Sequence, residues 1–363
     1  MRSSGTMRAT LTGASIALVL AIAPHAMAQS EIRGAGATFP AAVYTSWGFT
    51  YQKEKKVPFI YQATGSGDGV RQIVARAVDF GASDVPVPAD QLKKEDLVQF
   101  PTLVGAVVPV VNIAGIKPGE LKLAGPLLAK IFSGQITTWN DPEIRALNPA
   151  LQLPKQAIKR LVRSDNSGTT ATFTEYLSLV SSDWHSKVGS GLSVKWPGSV
   201  DLAQGTDKLA ALSRETPGSI TYVSLNVVRS QGLAFVQMQN RSGQFVAPSE
   251  ETLSAAVSAS GLGKAGDETA SLLDMPGARA WPITDATYIV MERRPRNPQR
   301  AKQVLNFFYW VFLQGDAMAS ETGFVPLPGP VQARVVARFR KVENPDGSPL
   351  EFLGKRQQFL AAL

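Results

Sequence analysis

Residues 57–84 read VPFIYQATGSGDGVRQIVARAVDFGASD, and this stretch indicates the fold class. Its first part, VPFIYQA (57–63), has the length and apolar content of a strand. VRQIVARAV (70–78) has the apolar spacing of a helix, and DFGAS (79–83) is again typical of a strand. A strand, a glycine-rich turn, a helix and a second strand in this order predict parallel strands joined by a helix.

The same alternation continues along the rest of the chain, and no internal repeat or low-complexity tract interrupts it. QRAKQVLNFFYWVFLQG (299–315) is the strongest amphipathic helical pattern, with Gly315 as its stop. The alternation predicts an α/β fold with largely parallel sheets. The other segments are an apolar run broken by Pro109 (103–113), helices at 123–134 and 170–180, the segment 158–164 that precedes the second of these helices, and strands at 219–228 and 286–292.

Two apolar segments are candidates for passages between domains. One is the run at 103–113, and the other is AWPITDATYIVME at 280–292. If the chain crosses at both, the second domain is inserted into the first. We therefore expect a discontinuous lobe I (29–104 and 278–349), a lobe II (105–277) and a C-terminal tail (350–363).

The N-terminus has the three parts of a secretory signal peptide. Two arginines lie within the first eight residues, an apolar core follows at 11–23, and AMA at 26–28 is a small-x-small cleavage site. A membrane anchor is the alternative, but this core is shorter than the ~20 apolar residues that span a bilayer. We expect residues 1–28 to be removed, which leaves a mature protein in the periplasm that starts near Gln29.

Composition narrows the function classes further. The chain has no cysteine, so it has neither disulfides nor thiolate chemistry, and we expect no lipid anchor. Its formal net charge of +8 favours anionic partners, although a generic basic surface explains the charge equally well. There is no long run of Lys and Arg, so nucleic acid is not an expected partner.

Three loops, each directly before a helical pattern, could contact one anion. In GAGATFP (34–40), Thr38 is placed as an N-cap and Pro40 as an early helical proline; a capped helix without a ligand also explains this loop. In TGSGDG (64–69), glycines permit close backbone approach to an anion at a helix start. A plain turn is the alternative there, and a dinucleotide site is disfavoured because Val70 replaces the third glycine.

The third loop is RSDNSGTT at 163–170, where Arg163 can donate two hydrogen bonds to an oxyanion. A helix cap after a solvated arginine is the alternative. Ser164-Asp165-Asn166 also spells the S-D-N element of penicillin-interacting serine enzymes, but the S-x-x-K and K-T-G elements are missing. His185 is expected on a helix surface rather than as a base, and no cluster has metal-ligand spacing.

Taken in order, a series of motifs resembles the periplasmic phosphate-binding protein of the high-affinity phosphate ABC importer. These motifs are GAGATFPAAVY, YQATGSGDGVRQI, VDFGASDVP, FPTLVGAVVPVVNI, IFSGQITTWNDPEI, LNPALQLP, RSDNSGTTATFTEYL, VKWPG, WPIT and VLNFFYW. The resemblance implies a two-lobed α/β periplasmic-binding-protein fold of the type II kind, with phosphate in the cleft between the lobes. It implies a monomeric carrier that delivers phosphate to the permease subunits, with no catalysis and no cofactor.

The resemblance also implies which residues bind phosphate. Asp84 matches the carboxylate that accepts a proton from the ligand, and Asp165 matches a residue that orients Arg163. A carboxylate repels an anion unless that anion has a proton to donate, which phosphate has near neutral pH and sulfate lacks. The expected contacts are the backbone of Ala37, Thr38 and Phe39, the Thr38 hydroxyl, Ser66, Asp84, Arg163, Ser167, Gly168 and Thr169.

Two stretches depart from the family pattern. SVDLAQGTDKLAAL (199–212) lacks the glycine- and lysine-rich turn expected after the tryptophan-proline pair, and the tail FLGKRQQFLAAL (352–363) runs past the usual end. Two alternative functions stay open at this point. One is a receptor for arsenate or another protonated tetraoxyanion, and the other is a secreted phosphatase or phosphotransferase.

Overall fold

The structure of the protein is a computed structural model that describes residues 31–265 and 267–352. The predicted signal peptide, its cleavage site and the tail from residue 353 onward lie outside the described residues. The strands are β1 (Ile32–Gly36), β2 (Phe59–Ala63), β3 (Phe80–Ser83), β4 (Leu97–Asn112), β5 (Lys122–Leu123), β6 (Lys159–Arg163), β7 (Asp201–Ala203), β8 (Ser219–Ser224), β9 (Ala234–Phe235), β10 (Gln237–Gln239), β11 (Phe245–Val246), β12 (Thr284–Glu292) and β13 (Val325–Pro326).

The helices flank these strands. They are α1 (Ala41–Lys55), α2 (Ser66–Val74), α3 (Ala89–Lys94), α4 (Gly125–Phe132), α5 (Pro142–Leu147), α6 (Gly168–Val180), α7 (Ser182–Lys187), α8 (Gly205–Glu215), α9 (Leu225–Gln231), α10 (Glu250–Ala259), α11 (Gly261–Ala265), α12 (Pro298–Gln314), α13 (Asp316–Glu321) and α14 (Gly329–Arg338), followed by a single turn of 3₁₀-helix (Phe339–Lys341). None of the helices in the described part of the chain is long and apolar enough to cross a membrane.

The strands of the main sheet follow the order β2-β1-β3-β12-β4-β8-β6-β7. Parallel pairing holds β2, β1 and β3 together at one side and β8, β6 and β7 at the other. Between these groups, β12 pairs antiparallel with β3 and β4, and β4 pairs antiparallel with β8. The expectation of largely parallel sheets is therefore correct for the two groups and wrong for the strands that connect them.

The two predicted passages correspond to β4 and β12. These strands pair with each other from Thr284↔Ala106 to Glu292↔Leu97. Both are buried along nearly their whole length, as expected for strands covered on both faces. Their side chains join the apolar side chains of α6 and α12 in one core, so the two parallel groups share a single hydrophobic interior.

Pro109 does not break the apolar run, contrary to the sequence-based expectation. β4 continues through Pro109, which is paired with Tyr222 of β8. The Pro109 carbonyl accepts a hydrogen bond from the Val236 N–H at 3.0 Å, on the side of β9. In an antiparallel pair, the N–H and C=O of one residue point to the same neighbouring strand. Because the Pro109 C=O points towards β9, the N–H that proline lacks is missing on that side, and no hydrogen bond between β4 and β8 is lost.

Several predicted boundaries shift by a few residues. α2 begins at Ser66, inside the stretch predicted as a glycine turn, and ends at Val74 rather than residue 78. β8 ends at Ser224, where the predicted strand instead turns into α9. The predicted helix at 299–315 is confirmed as α12, with the Asn297 side chain accepting from the Arg300 N–H at its start and Gly315 at its end.

Candidate anion-binding site

The turn between β1 and α1 has two backbone N–H groups, near a helix start, that have no acceptor within the described residues. α1 begins at Ala41, so Thr38 is not its N-cap, contrary to the prediction. The Ala37 N–H is already bound to the Ala82 carbonyl at 2.9 Å because parallel pairing with β3 continues past the end of β1. No hydrogen bond within the described residues occupies the N–H groups of Thr38 and Phe39, which leaves them as the donors of this turn.

Ser66 and Asp84 meet where α2 starts and β3 ends. The Ser66 hydroxyl accepts from the Asp84 N–H at 3.1 Å and lies 3.4 Å from Asp84 Oδ2, to which it can donate. The other carboxylate oxygen, Oδ1, accepts from the Thr287 hydroxyl of β12 at 2.5 Å. Ser66, Asp84 and Thr287 are all buried, so the carboxylate is held by hydroxyl groups away from bulk water.

The electrostatics of Asp84 follow from this burial. Desolvation raises the pKa of Asp84 to about 6, while the Thr287 hydrogen bond, the charge of Arg163 and the Ser66 hydrogen bond act to lower it. Burial is the largest of these effects because the charged form loses its hydration. A partner with a proton to donate would restore part of that lost stabilisation.

Arg163 ends β6 and is oriented by Asp165. Its Nε donates to Asp165 Oδ1 at 2.7 Å, and its Nη2 donates to Asp165 Oδ2. Asp165 Oδ1 also accepts from the Gly205 N–H at 3.0 Å, which fixes the carboxylate against the start of α8. The arginine holds the pKa of Asp165 below its usual range, although burial acts in the opposite direction. This geometry leaves Nη1 to reach towards the Thr206 hydroxyl at 3.2 Å.

The third loop leads into the first turn of α6. The Ser167 side chain caps this helix by accepting from the Thr170 N–H at 3.2 Å. The Ser167 N–H donates to the Leu192 carbonyl at 2.9 Å, so only its hydroxyl remains to contact a ligand. Within the described residues, the N–H groups of Gly168 and Thr169 have no acceptor, and the buried Thr169 hydroxyl has no partner. An unpaired buried hydroxyl at a helix N-terminus indicates an anion site.

The three loops converge on one place. A Cβ at Gly168 would lie 2.3 Å from Ser66 Oγ and 2.6 Å from Asp84 Oδ2, so the start of α6 faces the carboxylate directly. The second and third loops also touch through the Gly67 N–H, which donates to the Asn166 carbonyl at 3.1 Å. Thr38 of the first loop reaches Arg163 through Thr206, since its Oγ1 lies 2.9 Å from Thr206 Oγ1.

Two residues of this region were not anticipated from the sequence. Thr206 lies in the stretch 199–212 that departs from the family pattern, and its buried hydroxyl connects Thr38 with Arg163. Thr287 donates to Asp84 from β12. The sequence pattern placed Thr287 in a strand, but no local signal indicated that its side chain would reach Asp84, 203 residues away.

The residues behind the enzyme alternative have structural partners instead. The Ser164 N–H donates to the Ala203 carbonyl, Asp165 pairs with Arg163, and the Asn166 carbonyl accepts from Gly67. His185 is exposed on α7, as predicted. Among residues 31–265 and 267–352, no cluster of His, Cys, Asp and Glu could hold a metal ion.

Comparison with known proteins places the sequence in a family. Residues 21–314 match the family described as PBP superfamily domain. The phosphate-binding protein PstS of Haemophilus influenzae is 44% identical over 89% of this chain and 96% of its own. The phosphate-binding protein PstS of Pasteurella multocida is 42% identical over 88% of this chain and 93% of its own.

Solved structures agree on the fold. The periplasmic phosphate-binding protein PfluDING, solved with bound phosphate, superposes with a TM-score of 0.69 at 21% identity and covers 90% of this chain and 97% of that one. A phosphate-binding protein from Stenotrophomonas maltophilia has a TM-score of 0.67 at 21% identity and covers 88% and 98% of the two chains. The predicted α/β two-lobed periplasmic-binding-protein fold is thereby confirmed. This chain belongs to the PBP superfamily and, within it, to the family of PstS phosphate-binding proteins.

Proposed function

We propose that this protein captures inorganic phosphate in the periplasm and delivers it to the permease subunits of an ABC importer. Its relatives at 42–44% identity carry the name phosphate-binding protein PstS, and PfluDING was solved with phosphate bound. Export depends on the proposed signal peptide, for which N-terminal sequencing of the periplasmic protein is the test. A mature N-terminus near Gln29 is expected.

One observation carries the proposal: a buried carboxylate, Asp84, faces a set of backbone donors that suit an anion. An ionised carboxylate only accepts hydrogen bonds, so a fully ionised tetraoxyanion would place lone pair against lone pair. Monobasic and dibasic phosphate each keep a proton that can lie between the two oxygens. In a buried site this repulsion is poorly screened, which favours phosphate over sulfate.

The proposed contacts follow from which donors are free. The N–H groups of Thr38, Phe39, Gly168 and Thr169 supply partial positive charge at helix starts, and Arg163 supplies the full charge. Ala37 and Ser167 contribute no N–H, because Ala82 and Leu192 accept those bonds. The remaining proposed contacts are the hydroxyls of Thr38, Ser66, Ser167 and Thr169 and the carboxylate of Asp84, with Asp165 orienting the arginine.

We further propose that residues 29–104 and 278–349 form lobe I and residues 105–277 form lobe II. On this division the first and second loops belong to lobe I and the third loop to lobe II. The contacts Gly67–Asn166 and Thr38–Thr206 then cross the cleft and belong to a closed state. Hinge motion about β4 and β12 would open the cleft to admit phosphate.

Isothermal titration calorimetry with phosphate, sulfate and arsenate tests the proposed function. We expect stoichiometric phosphate binding and no measurable heat with sulfate. Tight binding of sulfate would overturn the assignment, and a clear preference for arsenate would reassign the ligand. Incubation with a chromogenic phosphate ester separates a carrier from a phosphatase, because a carrier releases no product beyond the uncatalysed rate.

A further inference from the structure

A second buried carboxyl group lies behind Asp84. Asp285 of β12 is 7% exposed, and its Oδ2 accepts from the Thr172 hydroxyl of α6 at 2.6 Å. Its Oδ1 accepts from the Ala286 N–H at 2.9 Å. Asp285 and Thr287 are two residues apart on one strand, so their side chains share a face of the sheet. The strand that holds Asp84 through Thr287 therefore also presents Asp285.

Asp84 and Asp285 line the same small cavity of about 100 Å³. Thr172, Glu175 and Thr284 also contribute to its wall. Two acids that share one dehydrated space resist ionising together, because each negative charge disfavours the other. Asp285 is not among the phosphate contacts proposed above, whereas Asp84 is, so the ionisation of Asp285 can affect the phosphate site through Asp84.

The surroundings of Asp285 are acidic. The groups that act on its ionisation are two carboxylates, one hydroxyl and one backbone N–H, and no cation is among them. Burial raises the pKa of Asp285 well above its usual range, and the charge of Asp84 raises it further. The titratable and charged groups around it are Asp84 after β3, Glu175 on α6 and Tyr288 on β12. Asp267 and Glu268 act on Tyr288 in turn, Arg338 pairs with Glu268, and Arg163 acts on Asp84.

We propose that Asp285 is a positioning residue that takes up a proton when the lobes close, so that capture of phosphate is linked to proton uptake. This inference rests on the proposed function and on the proposed lobes. Thr172 and Glu175 lie on α6 of lobe II, whereas Asp84 belongs to lobe I, so opening the cleft admits water to the cavity that they share. A neutral Asp285 keeps a second buried negative charge away from the bound anion.

The direction of the pH effect follows from this assignment. In the open state water reaches Asp285, so its pKa lies closer to that of a solvated aspartate, whereas in the closed state burial raises its pKa. Closure therefore becomes less favourable as pH rises from the pKa of Asp285 in the open state to its raised pKa in the closed state. Above both pKa values, the free-energy cost of closure no longer changes with pH. Between these two pKa values, the affinity for phosphate falls by up to about tenfold per pH unit because of Asp285 alone.

Asp285→Asn tests the proposal because asparagine keeps the shape and has no proton to lose. The Thr172 hydroxyl can reverse its role and accept from the new amide. We expect phosphate affinity of the variant to depend less on pH, so that its ratio to wild type changes by at least about fivefold between about pH 5.5 and about pH 8. The titration of phosphate itself is common to both proteins and cancels in this ratio.

Calorimetry in two buffers of different ionisation enthalpy gives a second readout, the number of protons taken up per phosphate bound. Wild type should take up more protons than Asp285→Asn near neutral pH. Thr172→Val removes the hydroxyl that stabilises the ionised form, so it should shift the wild-type pH dependence to higher pH. This variant keeps the proposal testable if Asp285→Asn fails to fold.

Glu175→Gln is the matched control, since it removes an exposed acid from the same cavity wall. It should keep the steepness of the wild-type pH dependence and displace it to lower pH, because the charge of Glu175 helps to raise the pKa of Asp285. An equal flattening in this variant would overturn the specific role of Asp285. Identical profiles and proton counts for wild type and Asp285→Asn would overturn the inference alone. Absence of phosphate binding by wild type at every pH would overturn the proposed function and this inference with it.

Discussion

At the scale of residues, the two charged side chains of the site, Arg163 and Asp84, have different kinds of partner. Arg163 pairs with Asp165, whereas Asp84 is held by the hydroxyls of Thr287 and Ser66. The net charge of the arginine pair is zero before a ligand arrives. On the proposed function, the backbone donors and the guanidinium of Arg163 attract the anion, and Asp84 excludes an anion without a proton.

Removal of Arg163 should weaken phosphate binding strongly. Arg163→Met takes away the guanidinium and leaves Asp165 buried without its cation. Truncating one member of a buried charge pair typically costs ~2–5 kcal/mol, so we expect a loss of about 30-fold or more in affinity by titration calorimetry. Arg71→Met is the control, because Arg71 is an exposed arginine that pairs with Asp68 near the second loop. A loss below about threefold for Arg163→Met would assign Arg163 a purely structural role.

Asp84→Asn should relax the choice between phosphate and sulfate. The substitution removes the negative charge and converts one acceptor oxygen into a donor. We expect the preference for phosphate over sulfate to fall by at least about tenfold. Titration of both anions against wild type and variant measures this, and unchanged discrimination would contradict the role of Asp84.

The same substitution predicts a pH-dependent gain in stability. Burial raises the pKa of Asp84 to about 6, so the ionised group destabilises the ligand-free fold as pH rises from the unfolded value of about 3.9 through about 6. Asp84→Asn removes this cost, which is at most about 3 kcal/mol. The variant should melt at a higher temperature than wild type at neutral pH without phosphate, and this gain should vanish near pH 4. A lower melting temperature at neutral pH would mean that lost hydrogen bonds outweigh the removed charge.

Residue types at the site could be predicted from the sequence, but their hydrogen-bond partners could not. The motifs named Ser66, Asp84 and Arg163, and the structure brings these three side chains together. Whether a backbone N–H is free depends on tertiary pairing, which is why Ala82 and Leu192 could not be foreseen as acceptors. The Thr287–Asp84 bond joins residues 203 positions apart, a separation that local patterns do not encode.

At the scale of elements, the residues at which the helices begin determine which backbone N–H groups the loops offer to a ligand. α2 and α6 begin inside the glycine-containing stretches rather than after them, so their first N–H groups lie at the site. The sequence predicted each helix but placed its start too late, because glycine is a poor helix former in the interior yet is tolerated in the first turn. Close contact between elements, rather than propensity, fixes these starts.

Gly168→Ala should weaken phosphate binding while leaving α6 intact. Alanine is a better helix former than glycine, but its Cβ would lie 2.3 Å from Ser66 Oγ and 2.6 Å from Asp84 Oδ2. We expect a loss of about tenfold or more in affinity with an unchanged circular dichroism spectrum. Gly329→Ala is the matched control, since Gly329 is also the first residue of a helix, α14, and its Cβ would meet open space. Equal affinities for the two variants would contradict the close approach of α6 to Asp84.

At the scale of the whole molecule, the alternation of strands and helices predicted the fold class, and the resemblance predicted the two lobes. The antiparallel connection through β4 and β12 was not predicted, because periodicity indicates that a strand exists and says nothing of its direction. The apolar character of both segments did indicate that they cross the interior. The inserted arrangement of the lobes stays a prediction that closure experiments address.

Phosphate should make the molecule more compact and harder to unfold. If the lobes close on the ligand, the radius of gyration from small-angle scattering should decrease on adding phosphate. The melting temperature should rise, since a ligand at about 100 times its Kd adds about 2.7 kcal/mol to the free energy of unfolding. An unchanged scattering profile at saturating phosphate, with a raised melting temperature, would indicate a site that is already closed.

The single strand β4 has a consequence for folding cooperativity. It pairs with β12 through its first half and with β8 through its second half, so one continuous stretch of backbone belongs to both sides of the molecule. If one side unravelled alone, the other would lose a partner strand and expose the apolar face that the strand covers. We therefore expect ligand-free protein to melt in one calorimetric transition whose measured and van't Hoff enthalpies agree. Two resolved transitions would mean that the shared strand does not transmit unfolding from one lobe to the other.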